Sequence, residues 1–388
     1  MIQALSDGRV QARVITQSGE IVEHFRRAGA EVIECRGISQ FDNTEYGYYR
    51  GRRWLVLLRE IYFLLPTLLA LLRAKKRWKD VAVVHVNEIT ALIPIVLTKL
   101  IFRRPVIVHA RSVQQGATRW RSAGIRGILR HFANQIIAID QTVEASLPAG
   151  LQVCVVHNGF FHSGSRKDPP PELGPPKEGT IRVALVGNLL PMKGVYDFLQ
   201  AGALCKQRGL PAELIIVGHN RRELNGICGA LLKRLDFSRD LQSEIRDFIH
   251  AYDLGRYIRM LGFVADIASV YDNIDVVCFP SHLNAIGRPV LEASFSGVPS
   301  IVAIADPRPD TLIDGVTGIC IPARNPAALA DAIEYLHRNP SELKRMGEAA
   351  RAFASQRLSI DDTAKGIFGV YQQQISRESP QRVAVAEG

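Results

Sequence analysis

Pro280-Ser-His-Leu-Asn-Ala-Ile-Gly-Arg-Pro-Val-Leu-Glu292-Ala-Ser-Phe-Ser-Gly-Val-Pro-Ser-Ile-Val302 is the stretch whose reading decides the fold. The short apolar runs Val276 to Phe279 and Ser300 to Ala303 have the length and composition of buried strands. Between them the sequence predicts a loop, a helix from Pro289 to Phe295 and a stop at Gly297. Proline has no N–H to lose and a preset φ, which suits the first helical turn. The free N–H groups of such a helix start attract anions, and Glu292 sits one turn inside. Phosphate donors beside an acceptor for hydroxyls suit a nucleotide-sugar. An ordinary strand-loop-helix of an α/β domain accounts for the same pattern.

The same alternation runs outward in both directions. Upstream lie strands predicted at Ile181 to Val186, Glu213 to Val217 and Ile258 to Leu261, with helices at Gly194 to Arg208 and Leu241 to His250. The first part of the chain repeats it, with strands at Arg13 to Thr16, Glu31 to Cys35, Val81 to Val86, Val106 to Val108, Ile136 to Ile139 and Val153 to Val156, and a helix at Gly19 to Ala28. Short apolar strands alternating with helices argue parallel, doubly wound sheets. Arg166-Lys-Asp-Pro-Pro-Pro-Glu-Leu-Gly-Pro-Pro-Lys177 cannot join a sheet and reads as a semi-rigid linker. The expected organisation is an N-terminal domain over 1–159, a linker over 160–179, a second domain over 180–360 and a C-terminal helix or tail over 361–388.

Several motifs carry a family resemblance in the right order. Gly187-Asn-Leu-Leu-Pro-Met-Lys193-Gly194, Leu261-Gly262-Phe263, the stretch 280–302 and Asp314-Gly-Val-Thr-Gly-Ile-Cys-Ile-Pro322 resemble motifs of retaining glycosyltransferases of family 4, also called glycosyl transferases group 1. The resemblance covers nearly all of 180–355 and implies the GT-B fold, two Rossmann-like domains facing a cleft. Two departures stand out: Asn284 replaces the first Glu of the nucleotide-sugar loop, and Asn188 replaces an Arg often found after Gly187. The opening Gln11 to Val32 resembles the second strand-helix unit of such proteins, so a first unit of about 30 residues is expected to be missing. The competing reading takes Thr16-Gln-Ser-Gly19 as the first loop.

The resemblance also implies residue roles. Transfer from a nucleotide-sugar leaves a diphosphate and passes an oxocarbenium-like centre, so developing phosphate charge must be neutralised. Lys193 is placed for the diphosphate; an isolated lysine would otherwise read as a solvated surface group. Glu292 corresponds to the carboxylate that accepts from ribose hydroxyls, or else it is an acid favoured by its helix dipole. Gly187, Asn188, Gly218, Phe263, Asn284, Ile286, Gly287, Arg288 and Val290 complete the expected donor site, with Arg288 or Arg111 as a second phosphate cation. His109, at a strand end where α/β ligands bind, resembles the family's histidine near the sugar; a lone histidine there is more often structural. Asn87, Glu88 and Arg111 are expected on the acceptor side. No metal cluster or cofactor motif is visible, and the six scattered cysteines suggest no disulfide framework.

The 388 residues, 47% hydrophobic and 22% charged, suit a globular chain of two domains. Net charge is +10, and all of the excess lies in 1–159, with 22 Lys and Arg against 12 Asp and Glu. No nucleic-acid motif accompanies it, so nucleic acid is not expected as a partner. The run Trp54 to Leu72 is very apolar and precedes Arg73-Ala-Lys-Lys-Arg-Trp-Lys79. Arg59, Glu60 and Pro66 interrupt it below the ~20 apolar residues of a bilayer crossing. It fits a helix lying in an anionic membrane interface, with Leu64, Leu65 and Leu68 inserted; a helix buried against the N-terminal sheet is the competing reading. Arg119-Trp-Arg121, Arg126 and Arg130 add a second basic stretch. Without the apolar core of a signal peptide at its start, the chain is expected in the cytoplasm, peripheral at the inner membrane face. The expected function is transfer of a sugar from a nucleotide-sugar to a polysaccharide or lipid-linked acceptor. The rivals are a non-catalytic GT-B-like binding protein and another sugar enzyme such as an epimerase or phosphorylase.

Overall fold

The structure, a computed structural model, describes residues 2–5, 10–47, 49–115, 119–161, 167–219 and 240–386. The chain divides into two compact units, Met1–Phe161 with Leu358–Gly388, and His162–Arg357.

In the first unit, strands β1 (Arg13–Gln17) and β2 (Glu31–Cys35) pair in parallel around helix α2 (Ile21–Arg27), after a short α1 (Ile2–Leu5). A separate four-stranded parallel sheet runs β3 (Val84–Val86), β4 (Val106–Ala110), β5 (Gln135–Ala138), β6 (Val153–Val155). Helices α3 (Val56–Tyr62), α4 (Leu64–Arg77), α5 (Leu92–Phe102), α6 (Arg119–Phe132) and α7 (Gln141–Ser146) connect them. α7 starts where Asp140 accepts a hydrogen bond from the Val143 N–H. Residues 81–83, expected as the start of a strand, lie outside β3.

Helix order resumes in the second unit with α8 (Val195–Gln207), α9 (Leu241–Ala251), α10 (Ile267–Tyr271), α11 (Arg288–Phe295), α12 (Pro326–Arg338) and α13 (Pro340–Arg357). Its parallel sheet has the order β12 (Gly318–Ile321), β11 (Ser300–Ala303), β10 (Val276–Phe279), β7 (Ile181–Val186), β8 (Ala212–Val217), β9 (Ile258–Gly262). Strands β7 and β8 are buried on both faces, which is why they read as apolar runs broken only by the paired Arg182 and Glu213. Ile181, Val183 and Leu185 enter one core with Phe198, Leu199 and Ile333, whereas Ala184 and Val186 enter the opposite one with Val270 and Val277. The chain leaves β7 toward β8 and returns on its other side at β10, so the topological switch point lies between β7 and β10.

The Pro-rich run expected as a linker lies against this unit in its described part. Leu173 is buried in the second core. The fully buried Arg182 donates to the Leu173, Gly174 and Pro175 carbonyls and pairs with Glu213 at 2.8 Å. Glu213 also meets Arg259 at 2.8 Å. The last helix, α14 (Ile360–Ala386), joins the first unit, where Ile367 and Tyr371 pack with Leu5, Ile107 and Ile137.

Candidate functional site

At the C-terminal ends of β7, β8 and β9 the backbone closes up around three glycines. Gly187, with φ +130°, donates to the Val217 carbonyl, and Gly218, with φ +138°, donates to the Gly262 carbonyl. A Cβ on Gly218 would stand 2.0 Å from the Gly187 oxygen, so only glycine allows this approach. The loop after Gly187 ends in a 3-10 turn, Pro191–Lys193, and in Gly194 at the start of α8. Gly194 has φ +74°, and a Cβ there would stand 1.8 Å from the Pro280 oxygen. The β7 and β10 loops therefore touch at the switch point. Lys193 bends back over the strand end, its Nζ 3.2 Å from where a Gly187 Cβ would be.

The second loop is held from both ends. The His282 N–H donates to the Met192 carbonyl at 2.8 Å, and the His282 ring meets Asp197 of α8 at 2.6 Å. At its far end Gly287 lies on the ring of Phe279, where a Cβ would come within 2.3 Å, and α11 starts at Arg288. Arg288 grips Glu292 Oε1 through Nη2 at 2.8 Å and Nε at 3.2 Å. The Tyr271 hydroxyl donates to Glu292 Oε2 at 3.1 Å. Asn284 Oδ1 accepts from the Ala305 N–H at 3.2 Å. Ile286 and Val290 pack with Phe279 and Val302, and the Val290 N–H bonds the Gly287 carbonyl. Phe263 is 73% exposed and sets its ring edge-on to His219, centroids 5.6 Å apart. Asn188 is exposed.

Of the residues expected at a donor site, Gly187, Lys193, Gly218, Gly287, Arg288 and Glu292 thus lie around the loops that meet at the switch point. The structure adds His282, Asp197 and Tyr271 to these, none of them singled out by the sequence pattern. His282 sits inside the quoted motif and Asp197 four residues after Lys193, a spacing that carries the hint. Nothing local marks Tyr271.

In the first unit Asn87 and Glu88 follow β3, and Arg111 and Ser112 follow β4. Arg111 donates to Asn87 Oδ1 at 3.2 Å and Ser112 to Glu88 Oε2 at 3.0 Å. Burial raises the Glu88 pKa, against hydrogen bonds from Ile89, Ser112 and Arg111. His109 does not close its strand, which continues to Ala110. It is 1% exposed, and its ring nitrogens find no hydrogen-bond partner among the described residues. Burial, then the neighbouring His85 and Arg111, lowers its pKa to about 3. His85, 5.3 Å away ring to ring, meets the Tyr371 hydroxyl of α14 at 2.7 Å, and burial lowers its pKa to about 4. At neutral pH both rings are uncharged. Among the described residues, no group of three or more His, Cys, Asp or Glu is placed to hold a metal ion.

The apolar run is a stretch of 27 residues, Gly51–Arg77, long and apolar enough to cross a membrane by length and composition. The helix breaks at Phe63, three residues before Pro66, whose ring excludes the preceding turn. One side is used internally: Ala70, Leu71 and Ala74 pack with Ile33, Cys35 and Phe102, and the buried Glu60 accepts from the Gln40 N–H. The other side exposes Leu55, Leu58, Ile61, Tyr62, Leu65, Leu69 and Leu72. Leu65 is on this face as expected, whereas Leu64 and Leu68 are half-buried. Trp54 and Trp120 extend it, with the Arg121 guanidinium over both rings.

Residues 171–353 match the family described as Glycosyl transferases group 1. A D-inositol 3-phosphate glycosyltransferase of Corynebacterium kroppenstedtii is 29% identical over 208 residues, 53% of this chain and 43% of the relative, so less than half of that protein is matched. An MMP alpha-(1->4)-mannosyltransferase of Mycolicibacterium hassiacum is 26% identical over 77% of this chain and 72% of the relative. Among solved structures, Anabaena Alr3699/HepE in complex with UDP and glucose superposes with a TM-score of 0.72 at 20% identity, covering 96% of this chain and 94% of that one. Residues 171–353 are thus similar to the glycosyl transferases group 1 family, and the fold is GT-B.

Proposed function

We propose that this chain is a glycosyltransferase that moves a sugar from a nucleotide-sugar to a polysaccharide or lipid-linked acceptor, with retention of configuration as in family 4. The observation that carries the reading is the contact of the Lys193 and Pro280 loops at the switch point, through Gly194, with Glu292 one turn inside the following helix. There Lys193 and Arg288 would neutralise the leaving diphosphate without a metal ion, and Glu292 would take the ribose diol. Asn87, Glu88 and Arg111 would serve the acceptor, whereas the buried, neutral His109 reads as a core residue. The exposed apolar side of Gly51–Arg77, beside Arg73, Lys75, Lys76 and Arg77, supports peripheral attachment to an anionic inner membrane face. A spanning helix would have to abandon the packing of Ala70, Leu71 and Ala74.

The test is thermal stability against UDP, GDP, ADP, dTDP and their sugars, with Lys193→Ala as control. A ligand at 100 times its dissociation constant stabilises by ~2.7 kcal/mol. A shift with one nucleotide, lost in the variant and unaffected by EDTA, supports the donor site. NMR of the product anomer then tests retention. A second reading, a nucleotide-sugar binder without turnover, is favoured by Asn284, whose Oδ1 bonds the Ala305 N–H instead of facing outward as a carboxylate. Binding without transfer to any acceptor or to water would establish it.

A further inference from the structure

Both oxygens of Glu292 are engaged, and by groups of different character. Tyr271 is buried, and its burial and the adjacent carboxylate keep the phenol protonated, so its donation to Oε2 is permanent. This bond fixes the carboxylate in one orientation. Oε1 takes two N–H bonds from Arg288, which saturates the roughly two acceptor positions of that oxygen. A diol can reach Oε1 only if Arg288 leaves. The pair is exchangeable: Arg288 is 67% exposed, and an exposed pair one helical turn apart holds weakly.

Where it would go follows from the loop. The segment 280–287 begins on Gly194 beside Lys193 and folds back until Gly287 rests on Phe279, the residue before Pro280. Arg288 therefore starts α11 next to the loop's own origin, Phe279-Pro280, where Gly194, the residue after Lys193, meets the Pro280 oxygen. We propose that Arg288 is a specificity-determining residue: it covers the Glu292 carboxylate and yields it only to ligands whose diphosphate takes the guanidinium in exchange. This rests on the reading of the second unit as a nucleotide-sugar site. A bare nucleoside offers only neutral hydroxyls for the ion pair it displaces, whereas a nucleoside diphosphate offers phosphate oxygens that a guanidinium binds in a planar fork. The exclusion of nucleosides would thus be built into this helix and not left to Lys193 alone.

The experiment is isothermal titration of the full chain with UDP, GDP and ADP, and with uridine, guanosine and adenosine as competitors, for wild type, Arg288→Leu and Tyr271→Phe. Arg288→Leu is expected to tighten nucleoside binding about threefold while weakening the diphosphate roughly tenfold or more, so that the ratio between them collapses. Tyr271→Phe, which removes only the hydroxyl, is expected to weaken both ligands by the same factor. Equal weakening of both ligands in Arg288→Leu, or no change in nucleoside affinity, overturns the proposal while the donor site stands. If no nucleotide binds the wild type, the donor site and this proposal fall together.

Discussion

Replacement of Leu58, Leu65 and Leu69 by serine tests the membrane face most directly. These side chains are 66%, 62% and 44% exposed, so they contribute little to the core and much to any apolar surface the helix meets. Burying a whole leucine side chain is worth about 1.5–3 kcal/mol. The exposed fractions at the three positions then correspond to about 3–5 kcal/mol of lost insertion energy. At 1.4 kcal/mol per factor of ten, vesicle binding should weaken from about a hundredfold to a few thousandfold. The assay is sedimentation with phosphatidylglycerol vesicles, with pure phosphatidylcholine and high salt as the electrostatic controls. Wild type is expected to bind the anionic vesicles, less so in salt, which screens the basic cluster after Leu72. The melting curve of the variant should match wild type. Equal vesicle binding by the variant would refute the reasoning, and a collapsed melting curve would show that these leucines belong to the core.

Other perturbations follow from the same geometry. Arg182→Met leaves Glu213 with Arg259 alone and removes a donor from four carbonyls, and should destabilise the chain by about 3–5 kcal/mol in urea titration. Gly194→Ala puts a side chain where φ is +74° and the Pro280 oxygen is in the way; the left-handed conformation alone costs about 1–2 kcal/mol, and nucleotide-induced stabilisation should disappear with the loop contact. His85 and His109 have folded pKa values of about 4 and about 3, below the ordinary 6.5. Between pH 6.5 and about 4 the unfolded chain therefore binds protons that the folded chain does not, so stability is full above 6.5 and falls with pH by up to about 1.4 kcal/mol per unit for each ring. The groups facing them are each other, Tyr371 and Arg111. Denaturant titration of wild type and His109→Leu between pH 7 and 5 should show a steeper loss in wild type; parallel curves would remove the assignment.

Much of the architecture is legible in the chain because it is written in local periodicity. Ile181–Val186 is apolar at every position but one, as a strand covered on both faces must be, and the exception, Arg182, is the residue whose charge needs Glu213. Pro289 and Gly297 bound α11 for stereochemical reasons that need no neighbour. The glycines at 187 and 194 announce a backbone turning sharply beside a lysine, and the Arg288–Glu292 pair is visible as two charges one helical turn apart.

What packing alone decided is which polar group meets which. His109 reads as a strand-end ligand, yet β4 continues past it and its neighbour His85 is met by Tyr371, 286 positions away from His85 in the chain. Asn284 reads as a sugar-facing amide, yet a backbone N–H at Ala305 takes its oxygen. The apolar run reads equally as a core helix or an interfacial one, until the buried Ala70 and Ala74 separate one side from the exposed leucines on the other. The physical division is one of range. Strand and helix periods, caps and turns are settled by neighbours within a few residues, whereas burial and the partner of a buried polar atom depend on groups that chain topology alone brings together.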